Sequence, residues 1–386
     1  MNKQLLTILK KRYGLFILIA SIAIVGFYVF LGISDVNRWK EMELYYSSDD
    51  FITELKQNPE EINPSYKNLS LKERQEKHKK DSLMLFFQTD TFDDQGNMDT
   101  SENRPYFTMY FNENPWLLIS LISLIGFSLF FVDLKTSFNE FLFSLGVSKR
   151  KIYFTKYLLI ALPLLFSVLI AKILFIGIVT LGIPSEYVNL NMHQIVMNIL
   201  ALWSPIVFYF SVSTFIGLVT GHMILGPLTL FGFCFSFEFF MTSLTNALYF
   251  FTDHTKEVYM GDFFQYIITK NPTPLFPIIF ALVVSILLTV SGFFLFPALT
   301  LEKKGNYLLF DKLKIPVIIA TTIYVPIVMV FSQGFSHDES LQSSIVSLLI
   351  YAIITALIVS YIVFKKEIDR WIHQKKQIKE KISVRQ

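Results

Sequence analysis

The stretch LFILIASIAIVGFYVFLGI, residues 15–33, decides the fold class, because all 19 of its residues are uncharged and most are apolar. A helix that crosses the hydrocarbon core of a bilayer needs about 20 apolar residues. The stretch is too long and too uninterrupted for a signal peptide, and no small-residue cleavage site follows it. It therefore predicts a membrane-spanning helix that the mature chain retains.

Seven further apolar stretches of similar length follow the first one. Charged residues make up only 17% of the chain, and the mean hydropathy is +0.48. This pattern predicts an all-α integral membrane protein with about eight transmembrane helices. The predicted spans are residues 15–33, 116–132, 157–182, 195–220, 223–248, 275–297, 315–331 and 345–364.

The distribution of charge between the spans predicts the orientation, because lysine and arginine are enriched in cytoplasmic loops. The N-terminal segment carries +4, residues 133–156 carry +3, residues 298–314 carry +2 and the basic tail 365–386 carries +5. On the opposite side, residues 34–115 carry −7, and the three other loops on that side are also acidic. We therefore expect both termini in the cytoplasm, and the alternation along the chain is unbroken.

The acidic segment 34–115 is the one stretch long enough to form a domain outside the bilayer. Glu73 stands four residues before Lys77, and Glu76 four before Lys80, which favours a helix over residues 69–81. About 80 residues with few aliphatic side chains build only a small core. The sequence predicts a modest, partly helical extracytoplasmic domain.

Several kinds of chemistry have no sequence signature in this chain. Gly146-Val-Ser-Lys149 lacks the first glycine of a nucleotide-binding P-loop, so it is interpreted as a helix stop followed by a basic turn. Cys234 is the single cysteine, and no pair of histidines has the spacing of a zinc site. We therefore expect no metal site, no catalytic residue and no cofactor in this chain.

The basic loop after the second span reads LKTSFNEFLFSLGVSKRKIYFTK over residues 134–156. Phe138, Phe141, Leu142 and Leu145 have helical spacing on one face, and Gly146 ends that pattern before three cations. Two interpretations are open: an interfacial helix beneath lipid headgroups, or a helix that docks a soluble partner.

The stretch FLFSLGVSKRKIYFTKY, residues 141–157, resembles the membrane subunits of type-2 ABC exporters. In that family the first cytoplasmic loop carries a short helix that couples to the ATPase subunit. Gly146 stands where the family usually has proline, and Lys149 where it often has arginine. The resemblance implies a coupling helix within residues 135–151, and its docking residues would be Phe138, Glu140, Phe141, Leu142, Leu145, Gly146, Lys149 and Arg150.

Three shorter matches extend the resemblance. LEKKGNYLLF, residues 301–310, is similar to the family's exit from the sixth span, although its glutamate is displaced. Residues 271–277 resemble a re-entrant external turn, and the apolar residues 5–9 among cations resemble an N-terminal elbow helix. The resemblance covers the core spans within 1–33 and 116–297, whereas the extracytoplasmic domain and the two spans within 315–364 are additions.

Membership of this family would make the chain a permease that hydrolyses no ATP itself. A separate cytoplasmic ATPase would bind ATP and Mg²⁺, and a second identical or related permease subunit would complete the pathway. The expected substrate is an amphiphile, such as an antimicrobial peptide, a lipid or a cell-wall molecule. The abundance of phenylalanine, isoleucine, lysine and asparagine is typical of an AT-rich bacterial genome, so the expected location is a bacterial cytoplasmic membrane. No nucleic-acid partner is expected.

Two charged residues fall inside predicted spans. Lys172 and Glu238 each lie fifteen residues from the cytoplasmic start of their span, so both are about 22 Å deep. An ionisable group at that depth suggests function, and the alternatives are a structural ion pair or a lysine that reaches out to the interface. These residues also keep open an ion-coupled secondary transporter, and a membrane-embedded transferase is a further alternative.

Overall fold

The computed structural model describes residues 3–57, 69–85, 87–88, 106–107, 115–189, 192–252, 263–264, 275–332 and 341–383. These ranges are almost entirely helical. They contain α1 (Lys3–Tyr46), α2 (Asp49–Gln57), α3 (Leu71–Leu83), α4 (Trp116–Lys135), α5 (Phe138–Ser144), α6 (Lys149–Gly182), α7 (Met192–Val219), α8 (Leu225–Thr252), α9 (Leu275–Leu295), α10 (Lys314–Phe331) and α11 (Leu341–Ser383).

Eight of the helices in these ranges are long and apolar enough to cross a membrane, namely α1, α4 and α6 to α11. Each coincides with one of the eight predicted spans, so the predicted fold class is confirmed: the chain is an all-α integral membrane protein. The helical form is forced by the bilayer, because a helix satisfies every backbone N–H and C=O within its own segment.

The three longest spanning helices far exceed the length that a bilayer requires. α1 has 44 residues, α11 has 43 and α6 has 34; at 1.5 Å per residue they measure about 66, 64 and 51 Å. The resemblance suggested an elbow helix at residues 5–9, but α1 runs through these residues without a break. Leu5 and Leu9 are buried, so this end of α1 packs against the protein.

The spanning helices pack in pairs. α1 runs along α6, α4 runs along α7, and α9 also packs against α7. α10 and α11 pair with each other and meet the rest of the protein through α8. In α4 and α7 the most apolar segment is 67% buried, against 11% in α10 and 6% in α11. The pair α4–α7 is thus the centre of the bundle, and the last two spans lie at its edge.

Glycines allow α4 and α7 to approach each other closely. A Cβ atom on Gly217 would lie 2.2 Å from the carbonyl oxygen of Phe127, and a Cβ on Gly126 would lie 2.8 Å from that of Phe210. Helices in a bilayer lack a hydrophobic driving force between them, so their association depends on close packing at small residues. The backbone contact at Gly217 is therefore a main support of the bundle centre.

We expect Gly217→Ala to destabilise the protein, because the added methyl group would overlap the backbone of α4. Overpacking of this kind costs about 1–3 kcal/mol of unfolding free energy. Gly232→Ala is the matched control, since open space surrounds that position in α8. Thermal unfolding of the detergent-solubilised variants checks this, and equal stability of the two variants would refute the close contact.

The acidic segment between the first two spans includes two short helices, α2 and α3, and a two-residue antiparallel ladder that pairs Phe87–Gln88 with Tyr106–Phe107. α3 covers the helix predicted at residues 69–81. A capping box begins it: the Ser70 hydroxyl accepts from the Glu73 N–H, and the Glu73 carboxylate accepts from the Ser70 N–H. The Ser70 hydroxyl also donates to the Glu73 carboxylate at 2.6 Å. This hydrogen bond, together with the one from the Ser70 N–H, holds the pKa of Glu73 below its usual value.

This segment rests on the end of α1 and on the loop between α6 and α7. The Trp39 indole, 1% exposed, donates to the Leu83 carbonyl at 2.9 Å and meets the Tyr187 ring edge-on. The Leu85 N–H donates to the Tyr187 carbonyl at 3.0 Å. Trp39 therefore anchors α3 to the membrane bundle. Of the suggested re-entrant turn at 271–277, residues 271–274 lie outside the described residues.

Candidate functional site

The predicted coupling segment contains α5, a helix of two turns. Ser137 precedes it with a φ of 57°, and Gly146 follows it with a φ of 65°. Both angles are left-handed, and the left-handed glycine after the last turn is a common helix end. The stop predicted at Gly146 is therefore present, although the helix is shorter than the 135–151 segment.

The apolar residues of α5 divide into two groups. Leu142 is fully buried, and Phe138 and Leu145 are half-buried. Phe141 is 46% exposed, and Glu140 beside it is also exposed. Because Leu142 is buried, part of the apolar face predicted from spacing anchors α5 to the bundle. Phe141 is the large apolar side chain that α5 presents outward.

Two lysines fix the ends of this helix to the loop after α9. The Lys149 ammonium donates to the Leu299 carbonyl at 2.8 Å and to the Pro297 carbonyl at 3.2 Å. The Lys304 ammonium donates to the Ser137 hydroxyl at 2.8 Å and lies 3.7 Å from the Glu140 carboxylate. Lys149 thus ties the start of α6 to the loop after α9. Arg150, in contrast, is exposed and lies near the Phe293 and Phe294 rings.

A buried carboxylate lies directly behind α5. Asp133, whose side chain is 1% exposed, accepts from Arg12 at 2.8 and 3.1 Å and from the Tyr13 hydroxyl, and it forms an ion pair with Lys156 at 2.6 Å. These partners come from α1 and α6, while Asp133 belongs to α4. We call Arg12, Tyr13, Asp133 and Lys156 the Asp133 cluster. It joins three spanning helices at the basic side of the bundle.

The Asp133 cluster also touches α5. The Arg12 guanidinium lies 3.9 Å from the centre of the Phe138 ring and donates to the Thr136 hydroxyl at 3.0 Å. Lys156 has a fully buried side chain, and its ammonium lies 4.5 Å from the Phe130 ring centre. A guanidinium over an aromatic face is attractive, so Phe138 connects α5 to the cluster.

Sequence reasoning missed the Asp133 cluster, because it counted Asp133 and Lys156 as loop charges. Asp133 interrupts the apolar end of the second span, and Lys156 stands at the start of the third. The available signal for an ion pair was the position of Asp133 at the end of one span and of Lys156 at the start of the next, on the same side of the membrane. Arg12 lies 121 residues before Asp133, and nothing in the spacing connects the two.

The other loops of the basic side are tied together by backbone hydrogen bonds. The Leu309 N–H donates to the Val219 carbonyl at 2.8 Å, and the Gly221 N–H donates to the Tyr307 carbonyl at 3.0 Å. Lys135 at the end of α4 also donates to the Gly221 carbonyl. The turn between α7 and α8 and the loop after α9 therefore form one platform with α4, and α5 lies on this side.

The two predicted intramembrane charges are both buried within the protein. Glu238, 5% exposed, accepts from the Tyr209 hydroxyl at 3.5 Å and from the Phe264 N–H at 3.2 Å. Lys172, 1% exposed, has its ammonium 4.8 Å from the Phe175 ring centre. Lys172 is therefore buried inside the protein and does not extend along the lipid-facing surface.

Among the described residues, these contacts fix α5 and the ends of the spanning helices relative to one another. In those residues, no three His, Cys, Asp or Glu side chains are grouped so that they could hold a metal ion. The fold and the platform define a multi-spanning membrane protein with a surface helix fixed on its basic side. The chain matches no protein-family model, no curated protein and no solved structure.

We expect Asp133→Asn to destabilise the protein strongly, because it leaves the Lys156 ammonium buried without a counter-charge. Removing one partner of a buried pair costs about 3–5 kcal/mol of unfolding free energy. The double variant Asp133→Asn with Lys156→Met should recover most of that loss in unfolding experiments. Asp311→Asn is the control, since the Asp311 side chain is 58% exposed and its partner Lys314 keeps Glu367 as a second counter-charge. An exposed carboxylate in a pair contributes about 1 kcal/mol or less.

A double variant no more stable than Asp133→Asn alone would contradict the coupling of Asp133 and Lys156. Additive losses in the two single variants would contradict it as well, because independent residues have no interaction energy in a double-mutant cycle.

Proposed function

We propose that the chain is the permease subunit of an ABC exporter of the type-2 kind, and that α5 is its coupling helix. The chain would supply the pathway, and a separate cytoplasmic ATPase would bind ATP and Mg²⁺. The single observation that carries this proposal is the placement of α5: a short surface helix on the basic side, rigidly fixed, with Phe141 exposed.

The anchoring of α5 favours a partner-docking role over a lipid-only role. An interfacial lipid-bound helix keeps its apolar face toward the acyl chains. In α5 the fully buried apolar residue, Leu142, points into the protein, and Phe141 is exposed on another side. Lys149 and Lys304 hold the two ends against the loop after α9. A helix fixed in this way transmits a push from a partner to the bundle.

The remaining parts of the proposal follow from the same family resemblance. The permease would pair with a second identical or related permease subunit in a bacterial cytoplasmic membrane. The substrate would be an amphiphile, such as an antimicrobial peptide, a lipid or a cell-wall molecule. The exposed apolar faces of α1 and α8 offer surface for lipid and for a second subunit.

We expect Phe141→Asp to release the ATPase subunit while the permease still inserts and folds. A charge at the centre of an apolar contact removes a hot spot, whereas Phe141→Leu keeps the contact apolar and serves as the matched control. The tagged protein is purified from its native membranes, and co-purified polypeptides are labelled with azido-ATP. The expected result is one labelled subunit with the wild type and Phe141→Leu, and none with Phe141→Asp.

Equal recovery of the labelled subunit with Phe141→Asp would reject α5 as the docking helix. The absence of an ATP-labelled partner in every preparation would reject the exporter proposal itself. Thermal unfolding of the purified variants separates loss of docking from loss of folding.

We also expect α3 and α5 to lie on opposite sides of the membrane, since α3 belongs to the segment 34–115 with a net charge of −7 and α5 to the loop 133–156 with +3, and cytoplasmic loops carry the excess of lysine and arginine. Exposed single cysteines at Glu76 and at Ser144 test this in a Cys234→Ser background. With an impermeant maleimide, Glu76→Cys should react in intact cells, and Ser144→Cys only after the membrane is opened. The reverse pattern would invert the topology.

A second candidate is an ion-coupled secondary transporter, and Glu238 is the observation that favours it. The Glu238 carboxylate projects from α8, is buried within the protein, and accepts hydrogen bonds from the Tyr209 hydroxyl and from a backbone N–H. Intramembrane carboxylates serve as proton relays in pumps and transporters. The azido-ATP experiment also decides here, because a secondary transporter needs no ATP-binding subunit.

A further inference from the structure

The last part of α11 extends away from the rest of the described protein. Lys314, at the start of α10, is 2.7 Å from the Glu367 carboxylate and lies over the Phe364 ring. Beyond that contact, residues 371–375 are all exposed. Five consecutive residues at 100° each cover more than one full turn of a helix. No side of the helix is therefore covered at this level by any described part of the chain.

This extension has an apolar seam. From residue 368 onward, alternating steps of three and four residues reach positions 368, 371, 375, 378 and 382 of α11. Four of these five positions are apolar or aromatic, and the exception is Lys375. Trp371 is 56% exposed, and Ile372 beside it is 42% exposed. Such a seam in an aqueous helix is typical of a surface that packs against another helix or a groove.

Basic residues flank the seam. Residues 365–386 contain eight lysines and arginines against three acidic residues, a net charge of +5. In the heptad that places Ile368 and Trp371 on the seam, Lys379 and Lys381 occupy the positions beside it. An isolated helix of this length is marginal in water, so a complementary partner would stabilise the extension.

Two possible partners of the apolar seam, a second copy of this chain and a membrane surface, fit it poorly. A second copy would place lysine beside lysine along the seam, and like charges at these positions disfavour pairing. A membrane surface would require the extension to bend sharply where α11 leaves the bilayer. Sharp helix bends occur mostly at proline, glycine or inserted groups, and α11 contains no proline or glycine and is one continuous helix.

We propose that residues 368–383 form a docking helix whose apolar seam enters a groove of a soluble protein rimmed by aspartate and glutamate. Charge complementarity selects the partner, and Trp371 is the central anchor. This inference does not depend on the exporter proposal, because it requires an acidic groove and no ATPase. Phe141→Asp in α5 should leave this binding unchanged.

The full-length protein in phosphatidylcholine nanodiscs provides the test. A Gln374→Cys substitution in a Cys234→Ser background carries an environment-sensitive dye beside the seam. The probe is a synthetic helical peptide with leucine on its seam and glutamate at the flanking positions. We expect saturable binding that weakens as salt is raised, and an affinity about tenfold or more lower for Trp371→Ser.

His373→Ser is the matched control, since it changes the same helical turn away from the seam and should bind as the wild type does. Reversing Lys379 and Lys381 to glutamate should abolish binding of the acidic peptide and create binding of its lysine-flanked counterpart. Thus both the apolar and the charged part of the surface are tested in a protein that remains folded.

Four outcomes would overturn the proposal. The acidic and lysine-flanked peptides could bind the wild type equally, which would indicate unspecific apolar contact. The dye could respond only when vesicles containing phosphatidylglycerol are added, which would assign the helix to a lipid surface. The wild type could self-associate through Trp371, which would assign it to a second copy. No response to any probe would leave the extension without a docking role.

Discussion

The packing of the helix ends on the basic side of this protein depends on the contacts of the buried Asp133 carboxylate. A single carboxylate accepts hydrogen bonds from Arg12 and Tyr13 of α1 and forms an ion pair with Lys156 of α6. In a medium of low dielectric constant, each of these charges requires the others, and the loss of one leaves its partner uncompensated. The cluster therefore fixes the ends of α1, α4 and α6 relative to one another. Arg12 then carries the constraint to α5 through the Phe138 ring.

A different kind of contact holds the bundle together within the bilayer. There α4 and α7 meet at glycines that bring backbone against backbone, because lipid offers no hydrophobic drive for association. Polar side chains add specificity: the Tyr157 hydroxyl lies 2.9 Å from the Thr289 hydroxyl, and Tyr153 donates to the Thr289 carbonyl at 3.0 Å. These contacts join the first turns of α6 to α9. The helix that carries Lys156 thus also contacts α9, the helix that precedes the loop anchoring α5.

The spans could be predicted from the sequence, because the thickness of a bilayer sets a length that apolar runs either reach or miss. The position of α5 could also be predicted, since Gly146 ends a short helical pattern before three cations. Its orientation could not: spacing shows that Leu142 and Phe141 are apolar, but only the neighbours decide which is buried. The Asp133 cluster was likewise invisible, because its members belong to three spans, and charges near span ends are normally counted as loop charges.

The geometry of α5 has a consequence for any force applied to it. Phe138, Ser137 and Glu140 are held by Arg12 and Lys304. Lys149, the first residue of α6, is held by two backbone carbonyls of the loop after α9. Displacing α5 on its own would break several of these contacts at once, including the cation–aromatic contact next to a buried ion cluster. Moving α5 together with the ends of α1, α4 and α6 and with the loop after α9 would break none of them. Tightly packed interiors respond by such rigid shifts more readily than by local deformation. On the proposed function, a partner bound at Phe141 would therefore move three spanning helices as one unit, and the Asp133 carboxylate is what makes them a unit.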